Sequence, residues 1–176
     1  VPIIQSSFHV LLVVIATFYA GELVWRERER NLHEILDATP LPAWALMLPK
    51  MLGLAVVLFS TLLVGMAVGV FVQWLTGGVD IAIGDYLRWH LLPGVVDAVL
   101  IAVLAVFVQA LSPSKYAGWG VMVLYLVLLF FGPALGIGHP LLLYGNVPGV
   151  PLSDMVGAGI FWKAAWWFRL FWASTA

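Results

Sequence analysis

The sequence predicts an all-α fold, a polytopic helical bundle in a membrane. Composition is the first sign: 63% of the 176 residues are hydrophobic and only 10% are charged, against about 25% charged in an average soluble domain. Distribution is the second. Residues 1–21, 51–79 and 116–153 contain no Lys, Arg, Asp or Glu, and a helix needs roughly 20 apolar residues to cross the hydrocarbon core. The third is aromatic placement. Trp44 and Trp74 bracket an apolar run that, as a helix, extends roughly 45 Å, about a bilayer with its headgroups, and tryptophan favours those two interfaces.

The elements follow in order. The first span is expected at 4–23, where leucine and β-branched residues mix freely; in lipid such a run is helical because its backbone groups must be satisfied internally. A charged segment ends it. The second span is expected at 46–74, followed by the Gly- and Asp-containing loop "TGGVDIAIGDY", and the third at 87–111, closed by the turn "SPSKY". The fourth is expected at 116–136. Residues 137–161, "IGHPLLLYGNVPGVPLSDMVGAG" and its flanks, are too rich in Gly and Pro for one continuous helix and read as an ordered, partly apolar loop at the membrane surface. A last span opens near Trp162–Trp166. The chain begins at Val1 rather than Met and stops within "WWFRLFWASTA", so we expect a piece of a longer protein with its last span truncated.

Basic residues orient these spans. Segments 22–50 and 111–119 hold Arg26, Arg28, Arg30, Lys50 and Lys115, whereas the opposite loops offer Arg88 and Lys163. The positive-inside rule therefore puts the charged loop at 24–42 in the cytoplasm and the Gly/Pro-rich loop outside. No basic segment precedes the first span and no small-residue cleavage site follows it, which argues against a signal peptide. A net charge of −1 argues against nucleic acid as a partner, because a phosphate-binding surface needs clustered, uncompensated Lys and Arg. The chain has no cysteine, which excludes disulfides and thiolate metal ligands.

The charged segment "GELVWRERERNLHEILDATP", residues 21–40, concentrates eight of the seventeen Lys, Arg, Asp and Glu residues. Glu22 and Arg26, Arg30 and Glu34, and Glu27 and Arg30 have the spacing of side chains that pair along a helix face. Read that way, the segment is a solvated, self-neutralising helix extension. Two details favour a docking element. Asn31 with Glu34 forms a capping-box pattern that restarts a helix at Leu32, and Thr39-Pro40-Leu41-Pro42 stops it. The resulting helix, "LHEILDA", carries Leu32, Ile35 and Leu36 on one face, and two turns are marginal in water without something to lie against.

These residues carry a resemblance. "YAGELVWRERERNLHEILDATPLPAWALMLPK" resembles the loop between the second and third spans of type-2 ABC exporter permeases, where a gate-proximal Glu and an "RER" stretch lead into the coupling helix. "HPLLLYGNVPGVPLSDMVGAGIFW" is similar to the external segment before the last span in a bacterial subgroup whose permease is fused to a zinc aminopeptidase-like domain. That subgroup tends to have "YSDM" where this chain has "PLSDM". The resemblance implies spans two to six of a six-span unit in the bacterial inner membrane. It also implies a second permease half or a homodimer, and ABC ATPase subunits that carry the ATP and Mg, with no cofactor in this segment itself. The implied ATPase contact runs from Arg26 to Asp37, comprising Arg26, Arg28, Arg30, Leu32, Glu34, Ile35, Leu36 and Asp37, with Glu22 just before it.

Other residues are candidates for chemistry. Asp97 lies near the middle of the third span, where an ionised carboxylate costs on the order of 2.5 to 3.5 kcal/mol on insertion scales. It is read either as a lining group of a polar cavity or gate, or as a protonated Asp bonded to a neighbouring helix. Gly65 and Gly69, four apart, allow close helix approach and read as packing, or alternatively as a dimer contact. His9 reads as a helix-to-helix hydrogen bonder. "HEILD" lacks the second His of a zincin, and the chain has neither a G-x-S-x-G nor a Walker A motif. No catalytic residue or metal ligand is therefore assigned. The sequence reads as a permease segment of an ABC exporter and not as an enzyme; the alternative is a membrane anchor for a peptidase-like domain. Nothing in it names a substrate.

Overall fold

The computed structural model describes residues 2–30, 42–75, 83–137, 139–148 and 159–175. Among them every long element is a helix: α1 (Pro2–Glu29), α2 (Ala43–Leu75), α3 (Leu92–Leu111), α4 (Lys115–Phe131) and α5 (Gly159–Thr175). The all-α membrane bundle expected from composition is what the chain forms, and α1, α2 and α3 are long and apolar enough to cross a bilayer.

Boundaries differ from expectation where local chemistry intervenes. Helix α1 does not stop at the first charge but runs on to Glu29, because a helix leaving lipid keeps its own hydrogen bonds and its charged side chains simply meet water. Before α3 the chain makes a helical turn, Ile83–Tyr86, and a π turn, Leu87–Leu91, in which Leu92 N–H donates to Leu87 O. The π turn has a local cause. Pro93 stands two residues after it, and a proline ring clashes with the carbonyl four residues back in a regular helix. The fourth span ends at Phe131 rather than 136, since Gly132 leads into Pro133 and a single 3-10 turn, Pro133–Leu135. Gly136 then reverses the chain at φ 79°. Between α3 and α4, Ser112 Oγ donates to Val108 O and Ser114 caps α4 by accepting Ala117 N–H at 3.2 Å.

Helix α1 is the centre of the bundle, packing against α2, α3 and α4; α5 packs chiefly on α3. Its buried face, Val13, Ala16, Ala20 and Val24, has helical spacing, and α3 answers with Ala98, Ala102, Ala105 and Val106. Alanines on both sides let the helices approach closely, which matters in lipid, where tails are as apolar as side chains and packing supplies the attraction. Gly21 and Gly118 extend this fit: the Trp119 indole lies against Gly21 and the Gln109 side chain against Gly118, each occupying the place a Cβ would take. Helix α2 keeps a long apolar face exposed, including Leu52, Val56, Phe59, Val64 and Phe71, as a lipid-facing helix does.

Gly69 lies against the ring of Tyr86, whose hydroxyl donates to Gln73 Oε1 at 3.0 Å. Gly65 is half-buried.

Candidate functional site

Two polar constellations stand out in this apolar bundle. The first lies deep within it. Helix α5 buries Ala165, Arg169 and Trp172, positions four and three apart that form one face toward α3. Arg169 is thus a cation on an apolar stripe. Its Nε donates to Asp97 Oδ1 and its Nη2 to Asp97 Oδ2, both at 2.8 Å. A planar guanidinium matches a carboxylate in this way with two parallel bonds. The side chains are 10% and 18% exposed, and the partner of Asp97 lies on a neighbouring helix. An ion pair of this kind offsets what an isolated charge would cost there.

The loop after α4 packs onto the same level. Tyr125 Oη donates to Tyr144 O at 2.8 Å, and Trp172 Nε1 donates to Asn146 O at 3.1 Å. Tyr125 lies six residues before the end of α4, so the loop dips roughly 9 Å below that end. Leu143 is buried, and the Tyr144 and Trp172 rings meet with centroids 5.2 Å apart. Residues 143–146 therefore pack against α4 and α5. Residues 149–158 lie outside the described residues.

The second constellation is at the end of the bundle where α1 finishes. Lys115 Nζ, at the start of α4, lies 2.6 Å from Glu22 Oε1 and 3.4 Å from Glu29 Oε1. Lys50 Nζ of α2 lies 2.6 Å from Glu27 Oε2. Helical spacing had suggested pairs along α1 itself; Glu22 and Glu27 instead meet lysines of neighbouring helices, which are presented beside them once the bundle packs. Arg26 and Arg30 are exposed. The Glu22 hydrogen bond, first, and that of Glu29 hold the Lys115 amine above its ordinary range, against desolvation. Gln109 of α3, fully buried, accepts Trp25 Nε1 at 3.1 Å just inside this end. Arg28 belongs to α1; Leu32, Glu34, Ile35, Leu36 and Asp37 lie outside the described residues.

Sequence reasoning missed Arg169. A signal existed: Asp97 is the one charge within 92–111 and Arg169 the one within 164–176. Isolated intramembrane charges of opposite sign are expected to find each other.

Apolar helices long enough to span, closed around an internal ion pair and ending in a charged face, define a multi-pass membrane protein. The chain belongs to the ABC-2 family of transporter proteins, whose family profile, described as "ABC-2 family transporter protein", matches residues 3–157. It is therefore a transmembrane component of a transporter and not itself an enzyme, in a family that works with an ABC ATPase. No curated protein and no solved structure matches the chain.

Proposed function

We propose that the chain is the permease part of an ATP-driven exporter in a bacterial inner membrane, driven through residues 24–42 by an ATPase bound on the cytoplasmic side. The observation that carries this reading is the meeting of three helix ends. The last turns of α1 lie within ion-pair distance of the first turns of both α2 and α4, and residues 31–41 join α1 to α2. A force applied to that connection acts where three helices are already gathered. The ATPase supplies ATP and Mg, and a second permease half or a second copy completes the path. On the resemblance of residues 139–162, the full chain also carries a zinc aminopeptidase-like domain.

The test uses the full-length chain, expressed with the ABC ATPase encoded beside it and purified in lipid. The ATPase copurifies with the wild type, and Leu36→Asp or Glu34→Lys abolishes copurification or uncouples ATP hydrolysis from the permease. Hydrolysis and copurification unchanged in both variants would sink the assignment of this loop.

A further inference from the structure

The acidic side chains at the end of α1 are shared between lysines of two other helices. Glu22 and Glu29, two turns apart, converge on the single amine of Lys115, while Glu27 takes Lys50. Exposed ion pairs of this kind usually contribute little. Three features set this arrangement apart. The lysine side chains are only 14% and 11% exposed. One amine joins two residues that lie two turns apart on α1, which resists both sliding and fraying. The Lys115 amine also lies 5.5 Å from the centre of the Trp119 ring, a cation–π contact, and that indole is the one seated against Gly21.

Helix α4 follows α1 in sequence only after α2 and α3, so the chain itself gives it no direct link to residues 24–42. Lys115 gives it one. We infer that Lys115 and Lys50 are positioning residues that clamp the terminal turns of α1, α2 and α4 into one rigid body, so that a displacement imposed on the 24–42 loop reaches α4 directly through Lys115. This rests on the coupling function proposed above and adds the route by which motion enters the bundle.

Residues 1–176 contain no cysteine, and with any cysteines elsewhere in the transporter replaced by serine, spin labels are attached at two introduced cysteines, replacing exposed Tyr19 of α1 and exposed Leu124 of α4. Distances are measured by electron paramagnetic resonance in the full-length transporter with its ATPase in lipid vesicles, without nucleotide and with ATP plus vanadate. With Lys115 present, the α1–α4 distance is narrow and the same in both states. In Lys115→Glu it broadens, and it shifts when nucleotide is trapped, although the ATPase still copurifies. Lys115→Arg keeps the narrow distance, and Glu22→Lys with Glu29→Lys and Lys115→Glu, which reverses every charge, restores it. Should Lys115→Glu fail to insert, Lys115→Met, which keeps the stem and removes the charge, shows the same broadening. A bound ATPase with unchanged distances in the Lys115 variants overturns the clamp alone. Failure of any ATPase to copurify with the wild type overturns the coupling reading, and the nucleotide-free distances still decide the clamp.

Discussion

Asp97 and Arg169, 72 residues apart in sequence, meet as a two-pronged fork with both bonds at 2.8 Å. The pair joins α3 to α5, and Arg169 also lies near the Trp166 ring, 5.8 Å from its centre. Among the described residues, the Asp97–Arg169 fork and the Trp172 contacts link α5 to α3 and to the loop after α4.

Truncating one member of this pair should be far worse than neutralising both. Asp97→Ala or Arg169→Ala strands the other charge, a loss of about 3 to 5 kcal/mol for a buried pair. Asp97→Asn combined with Arg169→Gln recovers most of it. Thermal unfolding of the four purified forms in one detergent completes the cycle; additive losses would show that the fork contributes no coupling energy.

The glycines of α4 offer a test of packing with an internal control. At Gly118 an added Cβ meets the Gln109 side chain, whereas at Gly120 nothing lies within 4 Å. Gly118→Ala should lose about 1 to 3 kcal/mol by overpacking. Gly120→Ala should be neutral or gain up to about 1 kcal/mol from helix propensity. Equal melting temperatures for the two variants would contradict the packing described.

The packing of residues 143–146 against α4 and α5 depends on two side-chain donors. Tyr125→Phe removes one hydrogen bond while keeping the ring, at a cost of about 1 kcal/mol, and Trp172→Phe removes the other together with part of the buried indole, at a larger cost. Hydrogen exchange should quicken at Tyr144 to Asn146 and stay slow in α1 and α3. Protection unchanged in both variants would mean that the loop is held by something else.

The Lys115 bridges have a defined pH range. The folded amine is held above its ordinary 10.5, first by Glu22, so the stabilisation is complete below pH 10.5 and is lost as pH rises through the raised value. The difference in melting temperature between wild type and Lys115→Gln should therefore be flat from pH 7 to about 10 and shrink above that. A difference already falling near neutrality would place the charge elsewhere.

Among the described residues, the order and chemical class of the five long helices were legible in the sequence, because crossing lipid demands long uncharged runs and leaves little freedom in how they fold. Trp44 and Trp74, for example, sit at the second residue and the next-to-last residue of α2. The charged stretch at 21–40 was equally plain, and Pro133 could have marked the end of α4. Partners were not legible. Glu22 has Arg26 four residues away, yet its ion pair is to Lys115; Asp97 has Pro93 and Gly94 one turn away, yet it pairs with a side chain on the last helix. Spacing along one helix shows which groups share a face, whereas the choice among possible partners is made by which helices lie side by side. That choice follows from the fit of alanine faces on α1 and α3, and of Trp119 against Gly21, a property of packed shape that no single stretch of the chain contains.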